Sequence, residues 1–447
     1  MIEFFIYSIY VILSFATAIV VRKINYNRLS FADGLLVSVV FFISIPLALI
    51  LYSGSFNAPD MLASAYTPLL NIATTLNLFL GWIFVLLFNL FWRFRATRNP
   101  VRHVNRQVTA GRVLFDFKIL IGLYLVLTVT TFFVSGKASA GHWMTKSSDA
   151  FQSSTFLILT ANIANAYRAI IFGFLAYLSS MRILTKWQCL LSGFAIVIFD
   201  IAMTFNRITA AYFFIMIIII NRKHIRLITL ALIPILPIVM FISGLWTSIR
   251  GLALNNGYSL NGFIDAIKLS LENPLTSGGA TGTVALNSNG IFETSNLQVF
   301  NYIVEKVPNQ EQILWGWTLF LRPLTVFIPS TIWHDKPITY GVVIGRHIQH
   351  VEVTLNSTLF GEAYGNFYVF WPLALILILS IAAWLFERLE NKTPYIGYMA
   401  FFIAFALGRF EINFFVIALL AIVIHMQFSK LLISLRIINK RKLRFTN

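Results

Sequence analysis

Long apolar runs alternate with short polar or basic stretches along almost the whole chain. A helix needs about 20 predominantly apolar residues to cross a bilayer. Runs of that order occupy 2–21, 33–53, 68–91, 118–135, 153–181, 187–205, 227–248 and 359–386. The run 208–221 is shorter, and the apolar Phe205 with the residues before it can lengthen it. The stretch 394–429 is too long for one helix and is interrupted at Gly408-Arg409-Phe410-Glu411-Ile412-Asn413. It predicts two helices joined by a tight turn. The pattern thus predicts an all-α, polytopic membrane bundle of about eleven transmembrane helices, forming a single membrane domain over 1–447.

Composition agrees. Hydrophobic residues make up 58% of the 447 and charged ones only 11%, with mean hydropathy +0.78. Soluble domains carry about 25% charged residues, so this chain lacks the polar surface of a water-borne fold. The formal net charge of +17 would suit a nucleic-acid partner, but its basic residues gather between apolar runs instead of covering a surface. The loops Arg22–Arg28, Arg93–Lys118, Arg182–Lys186, Arg222–Arg226, Arg388–Lys392 and Lys430–Arg444 hold 23 of the 34 Lys and Arg. Threading eleven spans with the N-terminus outside puts all six loops on one side, as the positive-inside rule requires. The expected orientation is a periplasmic N-terminus and a cytoplasmic C-terminus, and no nucleic acid is expected as a partner. Arg93–Lys118 is arginine-rich and suits anionic headgroups of the membrane lipids. Residues 1–21 lack a basic n-region and a small-residue cleavage site, so they read as a retained helix. The single Cys189 excludes an intrachain disulfide.

One long segment, 250–358, falls on the side opposite the basic loops, periplasmic in a bacterium. Its early part, through Gly278-Gly279-Ala280-Thr281-Gly282, is not followed by the Lys-Ser or Lys-Thr of a phosphate-cradling loop. Its later part, Trp315 to Trp333, is apolar but contains Arg322, Pro323 and Pro329. It predicts an interfacial helix that lids the membrane face.

Ionisable residues inside or at the ends of spans are costly and mark candidate sites. Arg207, Arg250 and Arg409 stand at the outer ends of helices, and Arg322 sits in the lid segment. Together they would form a cationic pocket whose planar donors suit phosphate oxygens. Taken singly, each is more simply read as snorkelling to headgroups. Arg168 lies mid-span on one face with Asn162 and Asn165, and Asp200 is its expected partner in a structural pair. The outer face also carries His334, Asp335, Lys336, Arg346, His347, His350, Glu352 and Glu362. His347 and His350 with Glu352 match no standard zinc spacing, so no metal and no cofactor are expected. A carboxylate or histidine beside an arginine pocket would serve as a base for a sugar hydroxyl. Glu362, His334 and Glu352 are the candidates, with a salt bridge as the alternative role for Glu362.

This order of features resembles the Wzy-type polymerases of lipid-linked oligosaccharide repeat units, with the enterobacterial common antigen polymerases nearest. The residues that carry the resemblance are Thr204–Arg207, the basic Arg250 before the large loop, and Phe327-Ile328-Pro329-Ser330 leading to Trp333 and Lys336-Pro337. Ser357-Thr358-Leu359-Phe360-Gly361 and the Arg409–Glu411 turn complete it. The resemblance implies metal-independent, inverting glycosyl transfer at the periplasmic face of the inner membrane. Undecaprenyl-diphosphate-linked oligosaccharides would be the substrates, and a Wzz-type chain-length co-polymerase a partner. The product would be an O-antigen, common antigen or capsular polysaccharide. An O-antigen ligase would use the same donor. A lipid-linked oligosaccharide flippase is the alternative of another class, although no repeat between the halves is visible.

Overall fold

The computed structural model describes residues 2–26, 28–53, 71–98, 110–134, 155–204, 208–222, 268, 295–326, 328, 332–333, 335–349, 355–391 and 393–445. Every regular element among them is helical. In chain order they are α1 (Ile2–Arg22), α2 (Phe31–Val39), α3 (Ile45–Ser53), α4 (Ile72–Arg98), α5 (Ala110–Val134), α6 (Thr155–Ser180) and α7 (Lys186–Thr204). There follow α8 (Ile208–Ile220), α9 (Ser295–Lys306), α10 (Tyr340–Gln349), α11 (Thr358–Phe367), α12 (Trp371–Glu390), α13 (Ile396–Leu407) and α14 (Ile412–Phe445). Seven stretches of the described residues are long and apolar enough to cross a membrane, and α8 and α13 are apolar but shorter. The chain is therefore a helical membrane bundle. The run 227–248 lies outside the described residues.

The second span is one rod with a widened turn. Ser30 and Asp33 cap α2 reciprocally, each side chain meeting the other's backbone. Ahead of Pro46, which has no N–H for the carbonyl four residues back, the ladder opens to a π turn over Val40–Ser44.

At the centre stands α13. All twelve of its residues are buried, so it has no polar face at all. It lies between α2 and α6, and glycines bring both neighbours close. A Cβ on Gly34 would fall 2.0 Å from the Phe401 carbonyl oxygen, and one on Gly173 would fall 2.7 Å from Met399 Cα. Small residues at helix crossings allow this backbone approach where lipid gives no hydrophobic push.

The mid-span charges pair as their cost demands. Arg168 Nε meets Asp200 Oδ1 at 2.7 Å, with side chains 4% and 0% exposed. Tyr124 donates to the same oxygen at 2.7 Å, and Thr209 donates to Asp200 Oδ2. The pair is a structural lock between α6 and α7.

Contacts also gather several basic loops at one end of the bundle. Arg28 reaches Glu390, Arg95 reaches Glu387, and the Tyr398 hydroxyl donates to Tyr26 O and shares a hydrogen bond with the Ser180 hydroxyl. At the other end Asn301 of α9 accepts from Asn71 N and Thr74 Oγ1 at the start of α4.

Two local expectations are revised. The run 359–386 is not one smooth helix, because α11 ends at Phe367 and a 3-10 turn over Tyr368–Phe370 precedes α12. Tyr368 sits at φ +46, which no continuous helix accommodates. The expected lid helix is a compact turn: Gly316 at φ +86 starts a π turn over Trp317–Leu321 that runs into Arg322–Thr325. Gly316 fixes where it begins, and Pro323 sits in the first turn of Arg322–Thr325, where its missing N–H costs least. Trp315, Trp317 and Leu324 remain exposed on it, as an interfacial position would need.

Candidate functional site

The short helix α11, TLFGEAYGNF, carries the centre of the site at the end opposite the basic loops. It is bracketed by residues with left-handed backbone, Thr358 at φ +63 and Tyr368 at φ +46. A β-branched residue rarely takes that conformation, and such strain persists where surrounding structure enforces it. Small residues let neighbours close in. Gly361 abuts Ile303 of α9, and Gly365 abuts Tyr340 of α10. Glu362 and Asn366, one helical turn apart, share another face. Asn366 Nδ2 donates to Glu362 O at 2.7 Å and to Thr318 Oγ1 at 2.7 Å, and its Oδ1 accepts from Thr318 N at 3.3 Å. The lid turn is thereby pinned to α11.

Two carboxylates meet here. Glu362 is 1% exposed, and its Oε2 accepts from the backbone N–H of Ile412 at 2.8 Å. That N–H opens α14 and has no partner within its own helix. Glu411, in the turn between α13 and α14, accepts in the same way from Gly341 N at the start of α10. Each acid thus satisfies the positive end of a different helix. Glu411 lies near enough to Glu362 for their charges to interact, and both act on Tyr340. Burial pushes the Glu411 carboxyl up to about 7, against the Gly341 hydrogen bond and the charge of Arg322. The Tyr340 phenol, 2% exposed, is pushed well above its usual range by burial and by the surrounding acids Glu311, Glu362 and Glu411.

Cations complete the cluster. Arg322 Nε and Nη1 are buried and find no hydrogen-bond partner among the described residues. Burial lowers the pKa of this guanidinium, and the Glu411 charge opposes the shift. Lys336 feels the Arg322 charge, and its Nζ donates to Ile328 O at 2.8 Å. Arg409 stands two residues before Glu411, its guanidinium carbon 5.3 Å from the Phe410 ring centre. Buried guanidinium nitrogens that meet no acceptor, such as Nε and Nη1 of Arg322, are costly. They suit an anion that arrives with a ligand.

Of the residues singled out in the sequence, Glu362 and Arg322 gather around Glu411, and Arg409 adjoins it in the same turn. Arg207, Arg250, His334 and Glu352 lie outside the described residues, as does His350. His347 Nδ1 contacts Glu311 in an ion-pair geometry. No group of three potential metal ligands occurs among the described residues. Glu411 and Tyr340 are the members that sequence reasoning left unassigned. An acid in a tight turn between two apolar runs was the available signal for Glu411. Nothing local distinguishes Tyr340.

No family model, no curated protein and no solved structure matches this chain.

Proposed function

We propose that the chain is a Wzy-type polymerase, a glycosyltransferase that joins undecaprenyl-diphosphate-linked oligosaccharide repeats. The observation that carries this reading is Arg322, whose buried Nε and Nη1 lack partners beside Glu411, the carboxylate that in turn neighbours Glu362. A diphosphate leaving group needs such donors, because the charge it develops must be met without water. Arginine's planar fork meets phosphate oxygens in pairs. The acceptor hydroxyl needs a base, which Glu362 or its neighbour Glu411 supplies. The acceptor oxygen bonds to the anomeric carbon, the bond to the diphosphate breaks, and the carboxylate keeps the hydroxyl proton. Both lipid-linked reactants reach a site at the helix ends by moving in the membrane plane. Arg207, Arg250 and Arg409 are the further diphosphate ligands of this reading, and His334 and Glu352 its other candidate bases.

The reading carries the full topology with it: eleven spans, the N-terminus and segment 250–358 in the periplasm, and the C-terminus in the cytoplasm. Reporter fusions after residues 110 and 300 should lie in opposite compartments. Polymerisation is tested directly with purified protein and a defined lipid-linked repeat in EDTA. A ladder of products supports it. A single product on a lipid A core acceptor would make the chain a ligase.

The break between α11 and α12 favours a second reading, since transporters build binding sites from interrupted helices. In that case sealed proteoliposomes would move the lipid-linked repeat across the bilayer without lengthening it.

A further inference from the structure

A cavity of about 290 Å³ opens at the opposite end of the bundle, where the basic loops meet. The loop after α1, the start of α2 and the ends of α4 and α12 enclose it. Its walls carry charges of both signs, and these are paired unequally. Asp33 is fully engaged: Arg93 Nη2 meets it at 2.7 Å, Asn89 Nδ2 donates at 3.2 Å, and the Ser30 hydroxyl donates at 2.7 Å. Two other pairs are loose. Arg28 Nε stands 3.5 Å from Glu390 Oε1, and Arg95 Nη2 stands 3.5 Å from Glu387 Oε2. A charge-assisted hydrogen bond is about 2.7–2.9 Å long. Moreover, Glu387 Oε2 is buried and accepts no hydrogen bond. Arg95 is held over the Trp92 ring instead, 4.8 Å from its centre.

Such a wall asks for a ligand with an anion for Lys23, Arg28 and Arg95 and an N–H donor for the glutamates. Glu387 and Glu390 are three residues apart on α12 and so share a face. A plain anion would meet their repulsion. A trimethylammonium group would bring no N–H to Glu387 Oε2, which Arg95 approaches without a hydrogen bond. A primary ammonium brings three donors. The volume lies at the low end of small-molecule sites, which run from about 300 Å³ upward. It suits a headgroup and not a whole lipid. Beside it Phe91 and Phe94 of α4 and Trp384 of α12 are exposed apolar surface along which acyl chains can lie.

We propose that this cavity binds the headgroup of an aminophospholipid of the phosphatidylethanolamine class, with its phosphate between Lys23, Arg28 and Arg95 and its ammonium between Glu387 and Glu390. The proposal is independent of the polymerase reading, because it concerns the other end of the bundle and requires no turnover. It is tested on the full-length protein in detergent by native mass spectrometry and thermal unfolding. Phosphatidylethanolamine, phosphatidylcholine and phosphatidylglycerol of identical acyl chains are compared, and free glycerophosphoethanolamine is offered as competitor. Phosphatidylethanolamine should be retained about tenfold more than the other two, and only it should raise the unfolding temperature. Glu387→Gln should erase the preference while leaving the Arg168–Asp200 lock untouched. Equal retention of the three lipids by the wild-type protein overturns the proposal, whatever the variant does. Competition by the free headgroup as strong as by the lipid would assign the cavity to a soluble zwitterion and overturn the lipid assignment.

Discussion

A methyl group on Gly365 would stand 1.9 Å from the Tyr340 hydroxyl and 2.2 Å from its Cζ. The ring therefore owes its seat beside the carboxylates to a missing side chain on α11. Gly365→Ala must displace either the ring or the helix. Overpacking of this kind costs about 1–3 kcal/mol, and the displaced ring would disturb Glu362 and Glu411. Gly361→Ala should be milder, because the nearest obstacle is the Ile303 Cδ1 methyl at 2.9 Å, the end of a flexible side chain. Thermal unfolding of the two variants in detergent should rank Gly365→Ala well below Gly361→Ala.

Arg322→Ala should lower transfer activity by about tenfold or more while the protein still inserts and folds. A hydrogen bond to a charged group contributes roughly 1.5–3 kcal/mol, and a larger fall would mean that the contact tightens in the transition state. Arg322→Lys should rescue only in part, since an ammonium keeps the charge but not the fork. Steady-state rates with a lipid-linked repeat decide this, and unchanged rates for the alanine variant would remove Arg322 from the site.

Glu362→Gln separates binding from chemistry. The amide oxygen can still accept from Ile412 N, as the carboxylate does at 2.8 Å, so the start of α14 stays capped. Photocrosslinking to the donor should persist while transfer fails if Glu362 is the base, and retained transfer would move that role to Glu411. Loss of crosslinking together with transfer would reassign Glu362 to binding.

Glu411 gives the bundle a pH signature. Its folded pKa of about 7 is above the ordinary carboxylate value of 4.5, so the folded state holds a proton that the unfolded chain has released. The contribution to stability is complete below about 4.5 and is lost as the pH rises toward 7. The slope approaches, at most, about 1.4 kcal/mol per pH unit for one proton. Arg322, Glu362 and Tyr340 face this group and set the window. Unfolding temperatures measured from pH 4.5 to 7.5 should fall more steeply for the wild type than for Glu411→Gln. Parallel curves would show that another group titrates.

The Arg168–Asp200 pair should behave as a lock and not as a reactive site. Asp200→Ala leaves a buried guanidinium without its partner, which costs roughly 3–5 kcal/mol. Arg168→Met combined with Asp200→Leu should recover part of that loss, the Tyr124 and Thr209 hydroxyls losing their acceptor in either case. Unfolding of the single and double variants completes the cycle, and equal destabilisation by both would argue against pairing.

The elements that apolar length and charge specify are the ones the chain announced. The turn near 408–413 appears between α13 and α14, and Arg168 finds Asp200, because two isolated charges in apolar runs have few other partners. The break at Tyr368 was hidden. Phe367-Tyr368-Val369-Phe370 is apolar throughout, and hydropathy carries no information about a left-handed φ. Helices α9 and α10 were hidden for another reason: they are short and wedge against spans far away in sequence, as Asn301 does against Thr74. The site was half legible. Glu362 and Arg322 stand out as charges in apolar surroundings, whereas Glu411 and Tyr340 join them only through the close passage at Gly365 and the hydrogen bond to Gly341.

The sheathed position of α13 also dictates an order of manufacture. At twelve residues it is about 18 Å long, well short of the roughly 30 Å hydrocarbon layer. It leaves the ribosome after both helices that enclose it. The walls of the groove between α2 and α6, with Gly34 and Gly173 on them, are therefore made before the helix that fills it, which arrives with α14 as a hairpin. A nascent chain halted after residue 390 would hold that groove open to lipid or to an insertion chaperone, and a residue at Gly173 bulky enough to fill it would leave the hairpin nowhere to dock.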